Sequence, residues 1–370
     1  MNGLLIWAHS YCRSTLAFYE GLAKAFGVPL KVLFWIRDTS NRVAVGYSDE
    51  EFSHLDTLFV EDDIDLAKKE LAAHKTWHHL FGTYQKGAVF REMLLEARRR
   101  GCPVAIGSEA PCNMRGPPRS IFKNLYISTI LRYVVSKQVQ ASDFILNLSG
   151  DVDKNLQRVG WPVGKIVRCG YYSPPLVGSS FRMRGPAHWR EFTVLMTGCH
   201  DWYRNPMVAL QALKILKQRG VACRTVITQK GPLLESMKAF STANQLDVEF
   251  AGFVSYERLL ELYQNCSCFL AAGRSEPWGI RVNDALHCGA PLVVSEGMGA
   301  VKLISDHGCG LSFTNNSPVD LAGGLQSLIQ DKARYLKLAE RVRAAAEACM
   351  PHTKAHSIVS EIRSRFPDWR

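Results

Sequence analysis

The chain has 370 residues, a length that favours two domains over one. Its apolar content of 47% is that of a globular protein and excludes a disordered chain, and no uncharged run of about 18 apolar residues predicts a membrane-spanning helix. The net charge of +11 suits nucleic acid, an anionic membrane or a phosphorylated substrate, but no nucleic-acid-reading motif accompanies it, so we expect no nucleic-acid partner.

The first half of the sequence alternates short apolar strands with amphipathic helices. A helix over 14–27 is predicted to end at Gly27. The predicted strands are 4–9, 30–36, 57–60, 77–82, 103–108 and 144–149. Repeated strand–helix units of this kind predict a parallel sheet covered by helices on both faces. We therefore predict an α/β domain over residues 1–172.

A break in periodicity separates this domain from a second one. Pro and Gly accumulate over 173–190, which we interpret as a linker. Strand–helix alternation resumes over 191–350 and predicts a second doubly wound domain. A final helix over 351–370 is expected to pack back on the first domain. Two such domains facing each other across a cleft place a ligand at the carboxyl ends of their strands.

The 11 cysteines are odd in number and scattered, without a C-x-x-C pair or a spacing typical of zinc sites. We therefore expect reduced thiols in a cytoplasmic protein. The N-terminal residues MNGLLIWAH pass directly into a strand pattern without a cationic leader, so a cleaved signal is not expected.

The most informative stretch is GRSEPWGIRVNDALHCGAPLVVS, residues 273–295. It places Glu276 in a turn, followed by Pro-Trp-Gly, a helix-like run that contains Asp284, a Cys-Gly-Ala-Pro break and an apolar strand. This order closely resembles the donor-site signature of the GT-B, family-4-type retaining glycosyltransferases (glycosyl transferases group 1), of the kind that build bacterial polysaccharides. The resemblance covers most of 192–330, and the first domain more loosely.

The residue chemistry of this stretch fits the resemblance. Backbone amides at Trp278, Gly279 and Ile280 are predicted to begin a helix, and such amides attract a diphosphate. Gly279 lets the backbone approach phosphate without a Cβ in the way. Glu276 can accept hydrogen bonds from sugar hydroxyls, and Asp284, where the family usually has Glu, from ribose hydroxyls. The two carboxylates are therefore predicted to hold two ends of one nucleotide sugar.

A second cluster of candidate residues concerns the phosphates. The family commonly carries Gly-Arg near the start of the second domain and Lys several residues later. Here Gly198 is followed by Cys199, and Arg204 falls in the place of the Lys. Arg204 can offer a bidentate guanidinium to phosphate. This chain therefore lacks the first of the family's two phosphate-binding cations, and Lys230 and Arg281 are candidates to replace it.

On the acceptor side, the family often ends a strand of the first domain with His near the reacting sugar. This chain has Glu109 there, which is predicted to act as the acceptor-hydroxyl base or to position the sugar. The alternative is a cap, or an ion pair with Arg115 or Arg119. His78 and His79 are adjacent, so they face opposite sides of a strand, and we expect packed histidines rather than ligands.

Two D-x-D patterns, at Asp63–Asp65 and Asp151–Asp153, match the metal-binding motif of another glycosyltransferase class. Each follows a strand at a predicted helix start, where acids cap free amides and interact with the helix dipole. We therefore assign both to capping, and we expect neither a metal ion nor a cofactor besides the donor substrate.

The segment PPRSIFKNLYISTILRYVVSKQ, 117–138, reads as a basic helix with apolar and aromatic residues interspersed. Its cations include Arg119, Lys123, Arg132 and Lys137. Either it is a domain helix with a solvated basic side, or it docks on anionic lipid. In the second case the protein would lie at the inner face of the membrane.

Taken with the resemblance, these residues predict a metal-independent hexosyltransferase that retains anomeric configuration and moves a sugar from a nucleotide-diphosphate sugar to a glycan or lipid-linked acceptor. Two alternatives stay open: a GT-B sugar-nucleotide epimerase, and a non-catalytic nucleotide-sugar-binding protein, the latter motivated by Cys199 and Asp284. A dehydrogenase is disfavoured because no G-x-G-x-x-G follows the first strand.

Overall fold

The computed structural model describes residues 1–10, 12–36, 53–60, 63–82, 88–111, 122, 125–150, 153–198 and 200–370. The described chain divides into two compact units. The first contains Met1–Pro111, the described part of 121–174 and Met350–Arg370, and the second contains Pro175–Cys349. Within the described ranges, no helix has the length and apolar character needed to cross a bilayer.

The first unit is built on a parallel sheet of seven strands. These are β1 (Leu4–Ser10), β2 (Leu30–Ile36), β3 (Asp56–Phe59), β4 (His78–Phe81), β5 (Val104–Ser108), β6 (Phe144–Asn147) and β7 (Ile166–Arg168). Their order in the sheet is β3-β2-β1-β4-β5-β6-β7, so the direction of winding reverses between β1 and β4. Leu5 and Trp7 of β1 enter one core, whereas Leu4 and Ile6 enter the other. Both faces are therefore buried, as the continuous apolar strands predicted.

Helices cover this sheet. They are α1 (Arg13–Phe26), α2 (Ile64–Ala73), α3 (Ala88–Arg99), a π-helical turn (Ile127–Leu131) that continues into α4 (Arg132–Ala141), α5 (Asp153–Arg158) and a 3₁₀ turn (Val163–Lys165). Asp63 caps α2 through a 2.9 Å hydrogen bond from the Leu66 amide, which confirms the capping role for the first D-x-D. Asp153 instead pairs with Arg168 at 2.6 Å, and Asp151 lies outside the described residues.

The second unit repeats the plan with six parallel strands. These are β8 (Thr193–Met196), β9 (Arg224–Thr228), β10 (Val248–Gly252), β11 (Cys268–Ala271), β12 (Leu292–Ser295) and β13 (Gly310–Phe313). Their order is β10-β9-β8-β11-β12-β13, and winding reverses between β8 and β11. The helices are α6 (Pro186–Arg190), α7 (Pro206–Gln218), α8 (Leu234–Ala243), α9 (Tyr256–Asn265), α10 (Arg281–His287), α11 (Val301–His307), α12 (Pro318–Gln330) and α13 (Lys332–Ala348).

The C-terminal residues return to the first unit as α14 (Pro351–Arg365) and a 3₁₀ turn (Pro367–Trp369). Helix α14 packs against α1, and Ile358, Val359 and Ile362 join the core beneath it. Trp369 is 1% exposed, and its indole Nε1 donates to Asp143 Oδ2 at 3.0 Å. The first unit is thus completed by residues from the far end of the chain.

The segment over 173–190 differs from the free linker that its composition suggested. Residues from Pro175 onward belong to the second unit, and α6 forms within them. Arg184 is only 2% exposed, and its guanidinium donates to the backbone carbonyls of Cys266 and Cys288. Much of this segment is therefore packed structure, because a buried cation anchors it to two helix ends.

Candidate functional site

A small pocket lies in the second unit at the carboxyl ends of β8 and β11, where the winding reverses. Open α/β sheets bind ligands at this kind of position, since loops from neighbouring strands diverge there. The loop after β8 contributes Gly198, His200 and Arg204, and the segment after β11 contributes Gly273 and Glu276. Gly279, Ile280 and Arg281, from the segment that leads into the next helix, and Met298, from the loop after β12, also line it.

Glu276 is held by backbone pairing to the loop that follows β12. Its amide donates to the Gly297 carbonyl at 3.1 Å, and its own carbonyl accepts from the Gly299 amide at 3.1 Å. Two residues later, the Ala300 amide donates to the Trp278 carbonyl at 3.1 Å. These bonds form an isolated parallel bridge between Glu276 and Met298. The carboxylate is therefore carried by a braced segment rather than by a free loop.

Gly279 is required where this segment meets the loop after β12. Its φ of +98° lies in the region that favours glycine, and a Cβ there would overlap the Cε of Met298. The Met298 side chain thus occupies the space that any larger residue at 279 would need. The close approach places Gly279, Met298 and Glu276 side by side in the pocket.

Two guanidinium groups border the pocket. Arg204 Nε lies 3.8 Å from Glu276 Oε1, with both side chains largely shielded from solvent. A Cβ at Gly198 would stand 3.7 Å from Cδ of Arg204 and 3.9 Å from Nε of Arg281, so both arginines flank the open face of this glycine. Arg281, the first residue of α10, therefore supplies a second cation close to Arg204.

Burial and neighbouring charges act in opposite directions on Glu276. Desolvation is the largest effect and raises the pKa of the carboxyl group; Arg204 and Arg281 oppose the rise, and the Asp201 carboxylate adds to it. The outcome is a raised pKa. A carboxylate that is poorly solvated in the empty pocket gains from hydroxyl groups that donate hydrogen bonds to it.

Comparison with known proteins assigns the part of the chain that holds this pocket. Residues 184–348, a little under half of the chain, match the family model described as Glycosyl transferases group 1. The matched segment contains the whole pocket, so the resemblance that residues 273–295 indicate is confirmed for this part of the chain. Over 82 residues the chain is 33% identical to the N,N'-diacetylbacillosaminyl-diphospho-undecaprenol alpha-1,3-N-acetylgalactosaminyltransferase of Campylobacter jejuni, a match that spans only 22% of either protein.

Solved structures resemble nearly the whole chain. Anabaena Alr3699/HepE in complex with UDP aligns with a TM-score of 0.68 at 14% identity, over 98% of this chain and 100% of that one. A glycosyltransferase from Rickettsia africae aligns at 0.66 and 12% identity, over 100% and 99%. WaaG, a glycosyltransferase of lipopolysaccharide biosynthesis, aligns at 0.57 and 12% identity, over 96% and 99%. At these identities the likeness shows the fold, and the predicted GT-B architecture is confirmed.

Within the matched segment, the structure brings together six of the residues selected from the sequence: Gly198, Arg204, Glu276, Gly279, Ile280 and Arg281. The helix begins at Arg281, with Ile280 at the N-cap, so Trp278 and Gly279 lie before the helix and not at its predicted start. Trp278 contributes to the core instead of the lining, because its 1% exposed indole donates to Asn283 Oδ1 at 2.9 Å.

Two other selected residues, Asp284 and Lys230, lie outside the lining of this pocket. Asp284 is on α10, where its negative charge contributes to the raised pKa of Tyr263, which burial chiefly causes. Lys230 follows β9, with its Nζ 5.9 Å from the centroid of the Phe253 ring. Cys199 lies outside the described residues. The predicted contacts of Asp284 and Lys230 with a nucleotide sugar stay predictions.

Glu109 lies in the first unit, directly after β5 and exposed to solvent. Burial is the main cause of the raised pKa of Tyr171. The Cys12 thiol and the negative charge of Glu109 raise it further. Arg115 and Arg119, the suggested partners of Glu109, lie outside the described residues. The roles suggested for Glu109, either in acceptor binding or as a cap or ion-pair partner, therefore stay predictions. His78 and His79 are both packed, as predicted, at 6% and 0% exposure.

The basic helix presents a mixed outer surface. Ile127, Leu131, Val135 and Val139 follow one another at four-residue steps and enter the core. Its solvent-facing side carries the exposed cations Arg132 and Lys137 and also several large apolar side chains: Phe122, Leu125, Tyr126, Ile130, Tyr133 and Val134, with exposures from 42% to 83%. A cluster of exposed apolar side chains often marks an interaction site. The two alternatives for this helix, a solvated basic side and a lipid-docking surface, both stay predictions.

His200 and Met298 are among the lining residues that sequence reasoning did not single out. His200 stands within the TGCHDWYRNP loop, and Met298 within a loop considered only for its backbone. Both follow predicted strands, β8 and β12, whose carboxyl ends lie at the same edge of the sheet. That position was the available signal, because every loop at this edge is a candidate ligand contact.

Proposed function

We propose that this protein is a retaining glycosyltransferase that moves a hexosyl group from a nucleotide-diphosphate sugar to a glycan or lipid-linked acceptor. One observation carries the proposal: Arg204, Arg281 and Glu276 border the same pocket at the switch point of the segment that matches the group 1 family model. Paired guanidinium groups suit a diphosphate, and a shielded carboxylate suits sugar hydroxyls.

In the proposed reaction, the bond between the sugar C1 and the β-phosphate oxygen breaks. The acceptor oxygen forms a new bond to C1 on the same face, and the acceptor proton passes to the departing phosphate oxygen. Arg204 and Arg281 stabilise the negative charge that develops on the diphosphate, and Glu276 holds the transferred sugar. Glu109, in the first unit, is the candidate for orienting the acceptor hydroxyl by accepting a hydrogen bond from it.

The choice of donor and acceptor classes follows from the relatives. HepE was crystallised with UDP and with UDP-glucose, which makes uridine diphosphate sugars the first donors to test. The matched Campylobacter enzyme is named for a diphospho-undecaprenol substrate, which supports a lipid-linked acceptor here. Cytoplasmic residence is proposed because the nine cysteines among the described residues are free thiols, a state that a reducing compartment maintains.

The decisive experiment is a donor panel. Purified protein is screened by thermal shift against nucleotide-diphosphate sugars of different bases, and the donors that stabilise it are then incubated with acceptors while product mass is followed. Transfer adds one hexose to the acceptor, and the matched control Glu276→Gln should not add it. Stabilisation by a donor without any turnover would favour the nucleotide-sugar-binding alternative. Conversion of the donor to an isomer of equal mass would favour the epimerase.

Metal independence is part of the proposal, because arginine side chains are assigned the role of stabilising the diphosphate. Transfer measured in excess EDTA should equal transfer in untreated enzyme. Complete loss of activity that manganese or magnesium restores would contradict this assignment.

Peripheral membrane docking is proposed for the basic helix, on the strength of its exposed apolar residues. Attraction of exposed cations to anionic lipid should weaken as salt rises, since charges are screened over about 8 Å at physiological ionic strength. Parent protein should therefore co-sediment with anionic vesicles at low salt and less at high salt.

A charge-matched pair of variants makes this test specific. In the first variant the helix cations become Gln: Arg119, Lys123, Arg132 and Lys137. In the control the same change is made on the second unit: Arg219, Lys238, Arg258 and Lys332. Only the first variant should fail to co-sediment with anionic vesicles at low salt. Both variants should still transfer sugar to a short soluble acceptor. Parent protein that stays in the supernatant at low salt ends the hypothesis.

A further inference from the structure

His200 is a buried polar residue that the reaction scheme above does not use. It lies between Gly198 and Arg204 in the loop after β8, and it lines the same pocket. The residue is 2% exposed, and its Nε2 finds no hydrogen-bond partner among the described residues. Buried polar atoms in folded proteins are nearly always paired, so an unpaired one beside a binding pocket points to a ligand atom.

The backbone of His200 is held firmly by the loop after β9. Its amide donates to the Lys230 carbonyl at 3.3 Å, and its carbonyl accepts from the Leu233 amide at 3.0 Å. The two loops approach so closely that a Cβ at Gly231 would stand 2.6 Å from the His200 carbonyl oxygen. The imidazole is therefore placed by the fold before any ligand arrives, which reduces the entropy that binding costs.

The electrostatic setting of His200 favours an anion. Burial is the main cause of the lowered pKa of its ring, and Arg204 lowers it further, while the carbonyls of Gln229 and Thr228 and the Asp201 carboxylate oppose the change. The ring is thus kept mostly neutral beside a guanidinium in the empty pocket. Since Nε2 is the unpartnered nitrogen, the carbonyls of Gln229 and Thr228 hold the ring proton at Nδ1, and Nε2 of the neutral ring carries a lone pair. An anionic oxygen close to Nε2 would favour the protonated ring, which would then donate a hydrogen bond from Nε2–H.

We propose that His200 is a donor-binding residue that takes up a proton from water when the nucleotide-diphosphate sugar binds, so that its Nε2–H donates a hydrogen bond to a phosphate oxygen next to Arg204. This inference rests on the proposed function of the same pocket. It adds a third hydrogen-bond donor to the two guanidinium groups, and it accounts for the orphaned nitrogen.

The test measures the binding of UDP, GDP and ADP to the parent and to variants by isothermal titration calorimetry. His200→Ala should weaken the binding of the preferred nucleotide at least tenfold, and His200→Gln, which keeps a donor group, should weaken it less. His188→Gln is the matched control, because this half-buried histidine of α6 lies in the same unit but not in the pocket. Its affinity should equal that of the parent.

A spectroscopic readout separates direct contact from a structural effect. The ring nitrogen resonances of His200, identified by their absence in His200→Gln, should shift when the preferred nucleotide is added. Gly231→Ala should also weaken binding, because the added methyl group displaces the His200 backbone without entering the pocket.

The outcomes distinguish this inference from the function on which it rests. If the parent binds a nucleotide diphosphate, Arg204→Ala weakens binding, and folded His200→Ala binds as the parent does, then the role of His200 is overturned while the proposed function stands. Unshifted ring resonances on saturation with nucleotide would overturn it equally. If none of the three nucleotides binds to the parent, both proposals fall.

Discussion

At the scale of single residues, Glu276 shows how function and stability oppose each other. Burial of its carboxyl group in the pocket raises its pKa. Its Oε1 lies 3.8 Å from Nε of Arg204. In the empty pocket the ionised form is poorly solvated, so the folded protein bears a cost that bound sugar hydroxyls can relieve. Residues chosen for binding commonly lower stability in this way.

Glu276→Gln should abolish most transfer while preserving the fold. The pKa of Glu276 is higher in the folded protein than in the unfolded chain. As pH rises above the ordinary carboxyl pKa, ionisation of Glu276 therefore lowers the free energy of unfolding of the parent, whereas the uncharged variant has no such loss. The melting temperature of the variant relative to the parent should therefore increase from pH 4 to neutral pH. Thermal melts across this range check the effect. Full transfer activity in a normally folded variant would remove Glu276 from the site.

Arg204→Ala should weaken the binding of a nucleotide diphosphate by about 1.5–3 kcal/mol, the scale of a hydrogen bond to a charged group. Titration calorimetry measures this directly. Arg224→Ala is a suitable control, because Arg224 pairs with Glu249 at 2.9 Å on an exposed surface away from the pocket. Equal affinities of the Arg204 variant and the parent would show that Arg204 is not a diphosphate ligand.

At the scale of secondary-structure elements, the second unit depends on a buried cation, Arg184, which has no carboxylate partner among the described residues. The Arg184 guanidinium donates to the carbonyls of Tyr263 and Cys266 at the end of α9, and to the Cys288 carbonyl at the end of α10. Helix C-termini leave carbonyls unpaired and carry partial negative charge, so one arginine satisfies two helix ends. The segment before β8 is fastened to the unit by this means.

Arg184→Met should therefore destabilise the protein by about 3–5 kcal/mol, since it keeps the apolar stem but leaves several buried carbonyls unpaired. Urea unfolding at neutral pH provides the measurement. Arg182→Met is the control: Arg182 is exposed and bonds only to Asn265 in its side-chain contacts among the described residues, so its loss should cost about 0.5 kcal/mol or less. Similar losses for both variants would contradict the anchoring role.

At the scale of the whole molecule, the first unit is closed by distant parts of the chain. Trp369 packs against Phe144 with ring centroids 4.7 Å apart and against His78 at 4.9 Å. His78 Nε2 also bonds to the Asp368 carbonyl at 2.6 Å. Strand β4 thus joins the centre of the sheet to the C-terminal residues. Neighbouring His79 faces the other core, where its Nδ1 accepts from Trp7 Nε1 at 3.1 Å and its Nε2 donates to the His74 carbonyl at 3.2 Å.

This arrangement predicts acid sensitivity. Burial lowers the pKa of His79 to about 4, so the folded protein resists protonation that the unfolded chain accepts. Stability should be complete above the ordinary histidine pKa of about 6.5 and should fall as pH decreases towards 4, by up to about 3 kcal/mol from this residue.

Comparing His79→Leu with the parent isolates this contribution from that of other buried histidines. The variant should be less stable at neutral pH but should lose less stability between pH 7 and pH 4.5, as measured by urea unfolding. If the parent and His79→Leu lose the same free energy of unfolding between pH 7 and pH 4.5, protonation of His79 does not contribute to the acid sensitivity.

Local sequence patterns were sufficient for much of the architecture. Long apolar strands such as 30–36, and a helix start such as Asp63, are set by neighbouring residues, so periodicity and capping chemistry predicted them. The order of residues around Glu276 predicted a turn at the end of a strand, which the structure contains. Strands β7 and β13 were missed because they are short and their apolar runs are interrupted, by Arg168 in IVR and by Gly310 and Ser312 in GLSF.

Contacts between loops that are distant in sequence follow from the tertiary structure alone. The sequence by itself determined two parallel α/β units and a donor-type signature, because those depend on local propensity and on residue order. It could not show that Arg281 borders the same pocket as Arg204, that Met298 lies against Gly279, or that Arg184 is buried. Each of these depends on strands distant in sequence lying side by side, and that proximity arises only when the sheet brings their carboxyl ends to one edge.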